Sequence, residues 1–236
     1  MNKLRKIIFK TLSKPKNKIK FNKYLEYKKV KQRQINFKNY SPNFELINKH
    51  IKTWNLKCSV DEYIIRMEKE PFLKLFHLKN PDKQNISEKT QLSYIQNRGI
   101  SIYKLPSTGK EAMYICNGEL ITGTENKKEI EVKKKIQSTK SLDFIRYRDD
   151  GVIQYIYAKY TNVCGGAQCN QKNDVIHFIN LANELVSKRI LEYKKTNKYH
   201  FVALLDGEYY DTVVMDELNR YIKFSSYIYI CNSESL

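Results

Sequence analysis

Two charged side chains stand where an apolar strand should carry none. Asp143 lies between Leu142 and Phe144, and Lys159 between Ala158 and Tyr160, on the alternating runs 141–148 and 152–161. Asp150-Gly151 joins these runs as a hairpin turn, so the strands are antiparallel and the two side chains can approach across the ladder. Placing a carboxylate among apolar neighbours is costly unless it has a partner. One reading is a structural Asp–Lys ion pair. The other is a carboxylate that binds a divalent cation, beside a lysine that stabilises charge on a phosphate or an attacking water.

The second run leads into "YAKYTNVCGGAQCNQKND", residues 157–174. Gly165-Gly166 permits positive φ or close approach of backbone to a partner. Gln168 and Gln171 offer amides able to bridge metal-bound water, phosphate or base edges. A helix starting here adds N–H donors suited to phosphate. The plainer reading is a glycine-rich turn whose amides cap the helix. Asp174 is the only acid between Lys159 and Glu184; as a simple helix cap its loss would cost about 1 kcal/mol.

These residues need elements to hold them. "SVDEYIIRMEKEPFLKLFHL" carries Ser59 or Asp61 as a cap and Ile64, Ile65, Met67, Phe72, Leu75 and Phe76 at helical spacing, with a break near Pro71. "NPDKQNISEKTQLSYIQNRG" predicts a second helix with Ser87 as N-cap, Leu92 and Ile95 facing a core, and Gly99 as the stop. Glu88 falls in its first turn, where the helix dipole alone would favour it. "AMYICNGELITG" predicts a hairpin about Asn117-Gly118, and "KKEIEVKKKIQSTK" a solvated charged extension. Val175, Ile176, Ile179, Ala182, Leu185, Val186 and Ile190 mark a helix, and "YHFVALLDGEYYD" a buried strand ending at Asp206-Gly207. The order is αβββαβ in outline, a mixed α/β domain with its hairpins on one side of a parallel crossover.

The chain has 236 residues and is 41% hydrophobic, enough for a real core. Its formal charge is +18, and residues 1–40 hold 14 Lys and Arg against the single acid Glu26. Phe9, Phe21, Tyr24, Tyr27 and Phe37 interleave with those cations, so this segment reads as an arm that tracks phosphates, or as a basic helix docked on the domain. Five cysteines without a C-x-x-C argue against a disulfide framework or zinc ribbon, and Cys164, Cys169 and His177 are too loosely spaced for a metal site. No apolar run approaches membrane-span length and no secretory leader is evident. The expectation is a cytoplasmic protein in a reducing compartment, with no membrane partner.

"KSLDF", "YIYAKYT" and "GGAQCNQKND" together resemble the nuclease core of the PD-(D/E)XK superfamily, in particular bacterial type II restriction endonucleases with a GGAQ-x-NQ segment. The resemblance runs from about Phe72 to Tyr210, and αβββαβ is that superfamily's core. With the charge distribution, the chain divides into a basic N-terminal arm over 1–45 and a nuclease domain over 46–236. The resemblance further implies Asp143 as the first metal-binding aspartate, Lys159 as the lysine that ends the motif, and Glu88 as a helix-borne acid added to the metal site. Mg²⁺ is the implied cofactor and double-stranded DNA the implied substrate. The implied products are a 5′-phosphate and a 3′-hydroxyl, made by a homodimer; a separate companion DNA methyltransferase is implied as well. One position departs from the pattern. The acid two residues before the lysine is Tyr157 here. Some members move that acid to the following helix, where Gln171 and Asp174 are the candidates; the expectation is that Gln168 and Gln171 line the site with Asp174 one turn away. The rivals are a repair or junction-resolving nuclease, and a non-catalytic DNA-binding protein that lost the second acid.

Overall fold

The computed structural model describes residues 20–81, 85–161, 166–193 and 198–236. It is an α/β protein: N-terminal helices precede a mixed five-stranded sheet interleaved with further helices. Helices α1 (Phe21–Lys38), α2 (Phe44–Thr53) and α3 (Val60–Lys69) come first. Ser59 caps α3 in a capping box with Glu62: its hydroxyl accepts from the Glu62 N–H at 3.2 Å and its own N–H donates to that carboxylate at 2.7 Å. Pro71 then turns the chain into a 3₁₀ segment, Pro71–His77. Ile47, Ile51, Tyr63 and Met67 form the small core of this region. Ile65, Phe72, Leu75 and Phe76, expected on a buried face, are exposed; the last three follow the break at Pro71, which takes them off the α3 stripe.

Helix α1 docks on the sheet domain. Phe21 and Leu25 are buried, and the Phe21 ring meets Tyr94 edge-on at 5.3 Å and Tyr160 at 6.1 Å. Tyr94 belongs to α4 (Ile86–Asn97). That helix starts earlier than expected: Asn85, at φ 55°, occupies the cap position, and Ser87 lies inside the first turn. Its far end follows the sequence, with Gly99 at φ 83° ending it.

The sheet runs β1-β4-β5-β6-β7, from β1 (Ile102–Lys104), β4 (Phe144–Tyr147), β5 (Ile153–Tyr160), β6 (Tyr199–Asp206) and β7 (Ile228–Cys231). β1–β4 and β4–β5 pair antiparallel, β5–β6 and β6–β7 parallel. The hairpin of β2 (Met113–Cys116) and β3 (Glu119–Thr122), turned at Asn117 (φ 53°) and Gly118 (φ 68°), forms its own two-stranded sheet. Both hairpins were expected beside the crossover, but β1, only three residues long, takes the free edge of β4 instead. The charged segment after β3 is not an extension. It folds as α5 (Thr124–Lys134) without a buried residue, helped by the Lys127–Glu131 pair at 3.6 Å.

Helix α6 (Gly166–Tyr193) makes the crossover between the parallel strands β5 and β6. It buries Val175, Phe178, Ile179, Ala182, Leu185 and Val186 on the sheet face that carries Tyr155 and Tyr157. The opposite face, with Ile156 and Ala158, packs on Ile95 of α4. Alternation along β5 therefore decides which helix each side chain meets. Helix α7 (Thr212–Asn219) precedes β7. Gly207 ties the strand ends: at φ 104° a Cβ there would stand 2.1 Å from the Thr161 carbonyl oxygen. Among the described residues no helix is long and apolar enough to cross a membrane.

Candidate active site

Five elements deliver charged side chains to one end of the sheet. Asp143 sits one residue ahead of β4 but keeps the ladder going, since its N–H donates to the Ile156 carbonyl at 2.9 Å and its carbonyl accepts from Leu105 at 2.8 Å. Its carboxylate accepts from the Ala158 N–H at 2.7 Å. Part of the residue reaches solvent, yet protein atoms crowd the carboxyl itself. Burial pushes its pKa up to about 7, opposed by the Ala158 N–H and by Lys159 and Lys104, and reinforced by Glu88.

Lys159, at the end of β5, is half-buried, and its Nζ lies 4.6 Å from the centroid of the Tyr157 ring. Burial draws its pKa below the ordinary lysine value, while Asp143, Asp174 and Glu88 pull it up. Among the described residues no direct ion pair joins Asp143 to Lys159. The carboxylate is held by a backbone N–H and the ammonium by a ring, so the structural Asp–Lys pair is not what these strands build.

Glu88 stands in the first turn of α4 and meets Lys104 of β1 at 3.5 Å, with both side chains more than a third exposed. Such a pair contributes little to stability. Its relevance is position, because Glu88 acts electrostatically on both Asp143 and Lys159. Asp174 also reaches this end of the sheet: it pairs with Lys140 at 2.5 Å and acts on Lys159 and Tyr157. Since α6 begins at Gly166, Asp174 lies beyond its second turn and is not the helix cap. Gln171 turns its amide oxygen to the Thr161 hydroxyl, off the end of β5. Gly165 and the Gln168 side chain lie outside the described residues.

Tyr157 occupies the place two residues before the lysine. It is 1% exposed, stacked on Phe178 at 5.1 Å with planes 19° apart, and its buried hydroxyl has no hydrogen-bond partner among the described residues. Burial, with Asp174 and Asp143 nearby, raises its pKa and keeps the phenol neutral.

Lys104, Lys140 and Gln91 belong to the site although the sequence did not mark them. Gln91 lies on α4 one turn after Glu88; its Nε2 donates to Asp206 Oδ2 at 2.7 Å and to the Lys159 carbonyl at 3.3 Å. Asp206 also accepts from the Ser233 N–H at 3.0 Å and hydroxyl at 2.6 Å. This buried knot fastens the start of α4, and thus Glu88, to the end of β5. Its only signal was an aspartate closing an apolar strand.

Among the described residues no three His, Cys, Asp or Glu side chains gather around one point. That does not tell against magnesium, which takes oxygen donors from one or two carboxylates and fills its octahedron with water and phosphate oxygens. Asp143 and Glu88 supply two carboxylates of that kind, and it is burial that raises the pKa of Asp143. Compared with models of known protein families and with curated proteins, the chain matches none.

Proposed function

We propose that this chain is a Mg²⁺-dependent endonuclease for double-stranded DNA, of the type II restriction kind, built on a PD-(D/E)XK core. The observation that carries the reading is the convergence of Asp143, Glu88 and Lys159 at one sheet end, on elements that run helix α4, strands β1, β4 and β5, helix α6, strand β6. The β2–β3 hairpin and α5 are then an insertion between the first two core strands.

A bound magnesium ion supplies Lewis-acid charge to the phosphate and makes a water nucleophilic at neutral pH. Asp143, its carboxylate oriented by the Ala158 N–H, would hold that cation. Glu88 adds a second carboxylate from α4. Lys159, held over the Tyr157 ring, would stabilise the charge that develops on the phosphate. Lys104 and Lys140 raise the local potential for a polyanion. Hydrolysis leaves a 5′-phosphate and a 3′-hydroxyl, and cutting a two-fold symmetric site requires a homodimer. A methyltransferase protecting the host sites is the functional companion.

A second reading, a non-catalytic DNA-binding protein, draws on Tyr157 in the acid's place; a repair or junction-resolving nuclease would keep the same chemistry. Digesting several plasmids of known sequence in Mg²⁺ separates the three. Discrete fragments support the restriction reading, cutting confined to branched or damaged substrates supports repair, and binding without cutting supports the third.

A further inference from the structure

The end of the sheet away from Asp143 and Lys159 holds a second polar site. Arg146 and Gln154 are register partners on β4 and β5, and Gln154 pairs in turn with His200 on β6. All three lie on the sheet face of Phe144, Ile156 and Val202, one layer beyond that apolar core, with Tyr229 of β7 beside them. A polar row thus crosses a face that is otherwise apolar. A cavity of about 750 Å³ opens here, and Arg146, Arg148, Gln154 and Tyr229 line it together with the Asp149-Asp150 turn and Leu236.

Gln154 is 1% exposed; its Nε2 meets the Tyr229 hydroxyl, and its Oε1 has no hydrogen-bond partner among the described residues. The Nδ1 of His200 is likewise buried without one. Buried polar atoms are seldom left so. Burial raises the pKa of Tyr229, so its hydroxyl stays a proton donor. A half-turn of the Gln154 amide lets Tyr229 donate to Oε1 and frees the NH₂ as a donor. The cations beside it are only partly engaged. Arg146 gives an N–H to the Leu236 oxygen at 3.0 Å, and Arg148 pairs with Asp150 at 2.7 Å. A guanidinium carries five N–H donors, so each keeps some to spare. The Arg148–Asp150 pair, more than a third exposed on both sides, costs little to give up.

We propose that this cavity binds a phosphate monoester of nucleotide size, at a site separate from the metal centre. Its phosphate takes donors from Arg146 and Arg148, whose planar forks match phosphate oxygens, and from the Gln154 amide. The remaining volume lies within the range of small-molecule pockets and takes the organic part. Asp149 and Asp150, exposed at the turn, set a negative rim that disfavours a nucleic-acid backbone and leaves a small ester as the ligand.

The test is calorimetric titration of the full chain, in EDTA, with 2′-deoxyadenosine 5′-monophosphate, inorganic phosphate and deoxyadenosine. The nucleotide should bind, phosphate should bind more weakly, and deoxyadenosine should not bind measurably. Arg148→Gln, on the surface, should weaken nucleotide binding by roughly tenfold or more, and Gln154→Leu by roughly fivefold without lowering Tm. Asp143→Asn should bind the nucleotide as wild type does, because it alters only the other end of the sheet. Equal affinity for phosphate and nucleotide would mark the free ion as the ligand and overturn the ester. No binding of either leaves the cavity to water and overturns the proposal, as does wild-type affinity in Arg148→Gln or a loss in Asp143→Asn. None of these outcomes bears on the nuclease reading, which Mg²⁺-dependent digestion decides by itself.

Discussion

Replacing Asp143 with Asn should make the protein more stable and inactive at once. In the fold, burial moves the carboxyl from its ordinary 3.8 to about 7. Below 3.8 both folded and unfolded chains hold the proton, and Asp143 contributes no pH dependence. As pH rises from 3.8 to about 7, the unfolded chain releases its proton first and stability falls. Above 7 the penalty is complete, amounting to ~4 kcal/mol at about 1.4 kcal/mol per pH unit. Water at the open edge of the residue reduces this to about 2 kcal/mol. Asn keeps an oxygen for the Ala158 N–H and carries no charge. Unfolding followed in EDTA at pH 4, 6 and 8 should therefore show Asp143→Asn matching wild type at pH 4 and melting about 4–8 °C higher at pH 8. Added Mg²⁺ should close the gap by stabilising only the wild type. Equal melting temperatures at pH 8, or a gap that is already present at pH 4, would refute the reasoning.

Three other changes probe the surroundings. Lys159→Ala should cut cleavage by roughly 10²-fold and leave Tm nearly unchanged, since no direct ion pair is lost; specific activity and melting measured on one preparation check it. Gln91→Ala takes one hydrogen bond from the buried Asp206 carboxylate, leaving those from Ser233, and frees the start of α4; chemical denaturation should show a loss of about 1–2 kcal/mol, together with weaker Mg²⁺ dependence through Glu88. Neutralising the exposed Lys23, Lys31, Arg33 and Lys38 of α1 to Gln should flatten the slope of log Kd against log salt by up to about 3–4. Fragment patterns should persist, because phosphate contacts position without reading bases.

Some of this architecture was legible in the sequence for plain physical reasons. β5, β6 and α6 are long enough for their periods to show, and Asp150-Gly151 and Asn117-Gly118 have the φ > 0 preference that hairpin turns require. β1 was hidden because three residues carry no period. α5 was hidden because a helix without a buried face leaves no apolar stripe to read. Asp143, Lys159 and Glu88 stood out as charges in apolar or capping contexts. Lys104, Lys140 and Gln91 did not, because what brings them to the site is strand register and helix packing between distant segments. Asp174 was visible only as an acid on a helix; its pairing with Lys140 depends on how far α6 extends before it. The first turn of α4 was misplaced because Asn85 adopts a left-handed conformation that the serine rule does not foresee.

The central question is whether this chain hydrolyses DNA through Asp143. Linearised plasmid is incubated with purified wild type and with Asp143→Asn, in Mg²⁺ and in EDTA, and the ends of any product are examined. The expected result is cutting by wild type in Mg²⁺ alone, with 5′-phosphate and 3′-hydroxyl ends, and none by the variant, which still binds DNA. Cutting by Asp143→Asn at the wild-type rate, or cutting that persists in EDTA, would contradict it.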